Sequence, residues 1–170
     1  MEDRIIPGHW EGGLIIGKGN HSALGTLVER TTRTVLLVPI ESKNAEHVAY
    51  RFAQEMETIP NQLKLTLTYD RGSEMARHKL FTEQTNMKVY FADPQSPWQR
   101  GTNENTNGLV RQFFPKDTDF REITAEEVKR VQGLLNSRPR ESLQFATLYE
   151  KFSELLVKKG EAKEKELMLR

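Results

Sequence analysis

The apolar positions first fall in three short runs. Leu14-Ile15-Ile16 is closed by Gly17-Lys18-Gly19-Asn20, whose glycines favour a turn. Residues 23–30 and 34–40 are rich in apolar and β-branched side chains, with Thr31-Thr32-Arg33 between them. This pattern predicts a three-stranded meander. The period then changes. Ala45, Val48, Ala49, Phe52, Met56 and Ile59 recur at helical spacing, with Asn44 placed to cap and Pro60 to stop the helix. Leu63, Leu65, Leu67 and Tyr69 alternate with polar residues and predict a strand over 63–69, ending at Asp70. Ser73 is placed to cap a helix over 74–85, and 87–91 reads as one more short strand. A loop begins at Asp93-Pro94. Residues 98–114 read as a helix weakened by Gly101 and Gly108. Thr124 followed by Glu127 is a capping-box signature for a helix carrying Val128, Val131, Leu134 and Leu135, ended before Pro139. A last amphipathic helix is expected over 147–157. The order β-β-β-α-β-α-β-α-α-α predicts an α/β layered domain with a mixed sheet. The domain is expected to occupy 1–157, with 158–170 a charged helical or frayed tail.

Composition narrows the picture only in part. The 170 residues amount to about one domain. Twenty-five basic against 24 acidic residues leave a net charge of +1, which selects no partner. The absence of cysteine excludes disulfides, thiolate metal sites and thiol nucleophiles. No apolar run approaches the roughly 20 residues needed to span a bilayer. Residues 1–7 have no extended apolar stretch of the kind a secretory signal needs. A cytoplasmic protein without membrane contact is therefore expected. His9, His21, His47 and His78 show no zinc-ligand spacing.

Two carboxylates stand out. Asp70 directly follows the alternating strand, and Glu104 lies within the predicted helix over 98–114. Mg²⁺ is commonly held by a few carboxylates plus substrate phosphates. Two such ions roughly 4 Å apart can activate a nucleophile and stabilise a leaving oxygen in phosphoryl transfer. Spacing alone favours the plainer reading, with Asp70 a turn residue and Glu104 a solvated helix side chain.

The surrounding words are more specific. They are Pro7-Gly8-His9-Trp10-Glu11-Gly12, the stretch from Gly25 to Arg33 (GTLVERTTR), Tyr69-Asp70-Arg71-Gly72-Ser73-Glu74-Met75-Ala76, the stretch from Pro94 to Gly108, and Leu135-Asn136-Ser137-Arg138-Pro139-Arg140. In this order, over residues 4–157, they resemble the integrase-like catalytic core of bacterial insertion-sequence DDE transposases of the thirty group. These belong to the retroviral integrase superfamily. The resemblance implies a ribonuclease H-like mixed five-stranded sheet flanked by helices. It also implies DNA strand cleavage and transfer with two Mg²⁺ or Mn²⁺ ions, and the DNA of element ends and targets as partner, with a homo-oligomer possible. Full-length relatives carry an N-terminal helix-turn-helix region that reads the element ends. Residues 1–6 are too short to supply it, so sequence-specific recognition by this chain is expected to be weak.

The resemblance assigns Asp70 and Glu104 as catalytic, metal-binding carboxylates. The family's first aspartate ends a Trp-Glu-Gly-Asp word, and here that word reads Trp10-Glu11-Gly12-Gly13. Glycine has no side chain to ligate anything, so weak or partial metal binding and an inactive polypeptide are expected. Gly13 reads as an engineered change, as a mark of a decayed or repurposed copy, or as a loss that Glu11 makes good. Residues i and i+2 share a strand face about 6.6–6.8 Å apart, so Glu11 points the same way as position 13. The competing function is a catalytically dead DNA-binding or assembly module. A nuclease of the same fold, using water alone as nucleophile, is separated only by resemblance. Arg100, Arg111, Arg138 and Arg140 are the expected phosphate contacts; Lys79, Lys88 and Lys116 read more simply as solvated charge.

Overall fold

A computed structural model of the chain describes residues 6–69, 75–92 and 101–137. Five strands form one mixed sheet in the order β3-β2-β1-β4-β5. They are β1 (His9–Ile16), β2 (Ala23–Glu29), β3 (Val35–Ile40), β4 (Thr66–Tyr69) and β5 (Lys88–Phe91). The first three pair antiparallel, and β4 and β5 run parallel to β1. Helices α1 (Ala45–Met56) and α2 (His78–Thr85) cover one face; α3 (Gly101–Val110) and α4 (Ala125–Asn136) cover the other. This is the layered arrangement the pattern predicts. The helix expected over 147–157 and the tail lie outside the described residues.

Alternation along the strands divides the core in two. Trp10, Leu27, Leu36, Val38 and Leu67 join Phe52, Met56 and Phe81 on the α1–α2 side. Ile15, Leu24, Val28, Val35 and Leu37 meet Val110, Val128, Val131 and Leu135 on the α3–α4 side. Side chains two apart on a strand share a face, which is why one strand feeds both clusters.

β1 starts five residues before the apolar run that announced it, at His9 rather than Leu14. Its glycine pair lowers strand propensity, but pairing with β2 on one side and β4 on the other overrides that. Gly8 sits at φ +116, and a Cβ there would lie 2.9 Å from Leu65 Cγ, so only glycine fits this entry. Gly12 is glycine for packing: a Cβ would lie 2.9 Å from the Tyr69 ring.

Other boundaries shift for local reasons. α1 has its Asn44 cap, whose Oδ1 accepts from Glu46 N at 2.9 Å, but it ends at Met56, ahead of the Pro60 stop. Leu63 belongs to a 3-10 turn, Asn61–Leu63, rather than to the strand. That turn buries Leu63 and leaves Leu65 38% exposed, so the alternation that predicted a strand from residue 63 is partly coincidental. α2 starts at His78, not residue 74; its cap position is Arg77, with no side-chain cap bond, and Ser73 lies outside the described residues. α4 begins as the capping signature predicts, with Thr124 Oγ1 accepting from Glu127 N at 3.1 Å.

β3 is an edge strand, and side chains occupy most of its outward backbone groups. Asn136 Oδ1 accepts from Val35 N and its Nδ2 donates to Val35 O, both at 2.8 Å. Gln132 Oε1 accepts from Leu37 N at 2.9 Å. The next outward position is Pro39, which has no N–H, and its carbonyl accepts from Arg51 Nε at 3.1 Å. An exposed edge would be a template for pairing with another chain. Asn136→Leu removes both bonds to Val35 and leaves two buried backbone groups without them. The expected loss is about 2–6 kcal/mol in urea unfolding, at one to three per orphaned group.

Candidate active site

Glu11, Gly13 and Ile15 face the α3–α4 side of the sheet, opposite to Trp10 and Gly12. A side chain at position 13 would project towards α3. Across the strand pair, Gly13 is level with Thr26. The Thr26 hydroxyl lies 3.3 Å from Gly13 O and 3.3 Å from Asn107 Oδ1, and it accepts from Asn103 Nδ2 at 3.0 Å. Asn103 and Asn107 are one turn apart on α3, so the first part of that helix is seated on the sheet by a polar layer, while Val110 at its far end joins the aliphatic cluster. Glu11 extends the layer. It is fully buried; Oε2 accepts from Arg30 Nε at 3.3 Å, and Oε1 from the backbone N of Asn103 at 3.4 Å. Thr68, level with Glu11 on β4, is also buried on this face.

Glu104 follows Asn103. It lies in the first turn of α3 and is exposed. β4 ends at Tyr69, level with Gly12. Asp70 is the next residue and lies outside the described residues, as do Arg100, Arg138 and Arg140. Arg111 is half-buried and holds backbone: Nη2 donates to Ile16 O at 2.7 Å and Nη1 to Pro115 O at 3.3 Å. It thereby braces the end of β1 against the chain after α3.

Among the described residues no three His, Cys, Asp or Glu side chains are grouped to hold a metal ion. The histidines are placed elsewhere: His9 Nδ1 lies 2.7 Å from Thr66 Oγ1, His47 2.7 Å from Glu41, and His78 packs edge-on against Phe91. On the sheet face under α3 the described carboxylate is Glu11, already engaged by Arg30 and Asn103. A two-ion donor set is not met by the described residues.

Three features were not legible as site signals. Glu11, which by its strand face is one candidate to replace the aspartate, is held in a buried ion pair with Arg30. Asn103 and Asn107 fall in a stretch of Asn and Thr that carries little helical signal. Glu29, inside the GTLVERTTR word, is buried and accepts from Gly8 N, Thr32 N and Thr32 Oγ1 at 3.0, 2.7 and 2.8 Å, which ties the β2–β3 turn to the start of β1.

The sheet order, with three antiparallel strands continued by two parallel ones, is that of integrase catalytic cores and the ribonuclease H-like fold. The integrase core domain family model matches residues 4–97, more than half of the chain, and the chain belongs to that family. The match stops short of Glu104. The transposase of insertion sequence element IS1086 from Cupriavidus metallidurans is 50% identical over 143 residues, 84% of this chain and 42% of that protein. Transposase InsI of element IS30A from Escherichia coli K12 is 48% identical over 147 residues, 86% of this chain and 38% of that protein. The chain thus corresponds to the integrase-core part of transposases of the IS30 type and spans about two fifths of their length. In fold it is similar to the catalytic core domain of BIV integrase, with a TM-score of 0.66 and 18% identity over 89% of this chain and 97% of that one. No helix among the described residues is long and apolar enough to cross a membrane.

Proposed function

We propose that this chain is the catalytic core of a DDE transposase whose site lacks its first-strand carboxylate, so that it retains DNA contacts but does not complete strand cleavage or transfer. The observation that carries this reading is the place of Gly13. It lies on the central strand, on the face towards α3, where the Trp-Glu-Gly-Asp word of related transposases ends in aspartate. Asp70 directly follows Tyr69 in the sequence, and Tyr69 is level with Gly12. Glu104 lies in the first turn of the helix seated over β1 and β2. These two carboxylates are the proposed metal ligands. They suffice for one weakly held Mg²⁺ or Mn²⁺ that keeps most of its waters. When bound in full, the two ions of the family would supply a deprotonated nucleophile and a stabilised leaving oxygen.

The chain's own residues do the positioning. Asn103, Asn107 and Thr26 hold α3, and thereby Glu104, against β1. Arg100, Arg138 and Arg140 are the proposed phosphate contacts. Arg111 is not carried forward in that role, since its guanidinium braces the backbone. The core is proposed to extend over 1–157, with 158–170 as a tail, and a second copy is the expected partner in assembly on DNA.

DNA binding by this chain is expected to be non-specific and salt-sensitive. Phosphate contacts dominate such affinity, and several of them lose orders of magnitude between about 50 and 200 mM salt. Fluorescence anisotropy with unrelated duplexes checks this: similar affinities that collapse over that range are expected, and tight binding to one sequence at about 200 mM salt contradicts it. The metal reading is checked by Mn²⁺ titration followed by electron paramagnetic resonance. Weak binding lost in both Asp70→Asn and Glu104→Gln supports it; binding unaffected by either removes it.

A further inference from the structure

Resting on the reading of Glu104 as a metal ligand, we propose that Glu11 is a positioning residue for the catalytic helix and not a replacement for the missing aspartate. The two roles make opposite demands on the carboxylate. A ligand must present an oxygen to the metal and to water. Glu11 instead has 0% exposure, and each of its oxygens takes a protein donor. Arg30, with its side chain 10% exposed, supplies the opposite charge that a buried carboxylate requires. The other donor is the backbone N–H of Asn103, in the first turn of α3. The first N–H groups of a helix have no partner within it, and an anion there is favoured by the helix dipole. Glu11 therefore fixes the start of α3 to the central strand one residue before Glu104.

The bond is one of two anchors on the same residue. The Asn103 side chain donates to Thr26 on β2, while its backbone donates to Glu11 on β1. Together they set both the height and the rotation of the turn that carries Glu104. This accounts for glutamate, rather than any residue of similar size, next to the glycines of β1: an acceptor is needed at that depth, and Arg30 is present to neutralise it. A misplacement of about 1 Å at a reacting centre can cost roughly a hundredfold in rate. A carboxylate carried on an exposed helix turn needs such an anchor.

The test compares two replacements, made both in the chain as it stands and in its Gly13→Asp form. Glu11→Gln retains an oxygen that accepts from Asn103 N but is a poor metal ligand. Glu11→Leu with Arg30→Met removes acceptor and cation together, so that no buried charge is orphaned, a replacement that folded proteins often tolerate. Mn²⁺ affinity is read by electron paramagnetic resonance and Asn103 amide exchange by NMR, with unfolding curves alongside. Positioning predicts that Glu11→Gln keeps Mn²⁺ affinity within about threefold. The double variant should lose at least about tenfold and exchange the Asn103 amide at least about tenfold faster, at little change in overall stability. Loss of Mn²⁺ binding in Glu11→Gln as complete as in Glu104→Gln overturns the proposal and makes Glu11 a ligand. Unchanged affinity and exchange in the double variant also overturns it. Glu104→Gln is the separate control: if it leaves Mn²⁺ binding intact, the reading of Glu104 fails, whatever the Glu11 variants do.

Discussion

Gly13→Asp is expected to raise divalent-metal-dependent DNA strand cleavage at least about a hundredfold above the chain as it stands. The central strand already presents position 13 to the face covered by α3. Of the described glycines, those at positive φ are Gly8 and Gly19, so position 13 has a backbone that an aspartate adopts without strain. The substitution adds a carboxylate that would offset the repulsion between the two like-charged ions of the proposed site. It should also make the fold's thermal stability respond to Mg²⁺, because a ligand that binds only the native state stabilises it by RT ln(1 + [L]/Kd). Oligonucleotide cleavage with Mg²⁺ and Mn²⁺ measures the first effect and thermal unfolding the second. Gly13→Asn, which fills the same space without the charge, should show neither. Cleavage by the unmodified chain that disappears in Glu11→Gln would contradict the account.

Trp10→Ala is expected to be the most damaging single change to the fold. Trp10 is fully buried on the α1–α2 side, and its indole N–H donates to Leu63 O at 2.9 Å. Truncation leaves a cavity under the central strand and removes the bond that holds the 3-10 turn before β4. Trp→Ala changes in cores cost about 3–5 kcal/mol. At 2–4 °C per kcal/mol for a domain of this size, the unfolding midpoint should fall by roughly 6–20 °C. Thermal denaturation followed by circular dichroism checks this. β4 leads directly in sequence into Asp70, the proposed metal ligand. A drop of only a degree or two would mean that the central strand is held chiefly by its β2 pairing.

The pattern of the chain announced most of the sheet and both long helices because their signals are local. β2 and β3 are apolar on both faces, as buried strands are, and α1 and α4 carry capping residues that bond as expected. What local signals missed was set by tertiary contacts. The glycine pair hid the first half of β1, which pairs on both sides, although the family resemblance had placed Trp10-Glu11-Gly12-Gly13 on the first strand. Leu63 kept the strand period by chance while lying in a turn. For the site the sequence offers one signal, the word ending at Gly13 where the resemblance implies an aspartate. The layer around it was not legible. Glu11 looked like a candidate ligand because its sequence position cannot show Arg30 and Asn103 closing on it from the turn after β2 and from α3. Asn136 stood in the same word as Arg138 and Arg140, and nothing in that word distinguished a residue that caps the edge of β3 from one proposed to meet DNA.

The central claim is that the site is short of one carboxylate and that Glu11 does not replace it. An anomalous difference map from crystals of the chain soaked in Mn²⁺, beside the same map from Gly13→Asp, tests it directly. The account predicts at most one weak peak in the chain as it stands, between Asp70 and Glu104, with Glu11 still bound to Arg30 and Asn103. In Gly13→Asp it predicts two peaks about 4 Å apart. Two full peaks in the unmodified chain, with Glu11 turned out of its pair to ligate one of them, would contradict it.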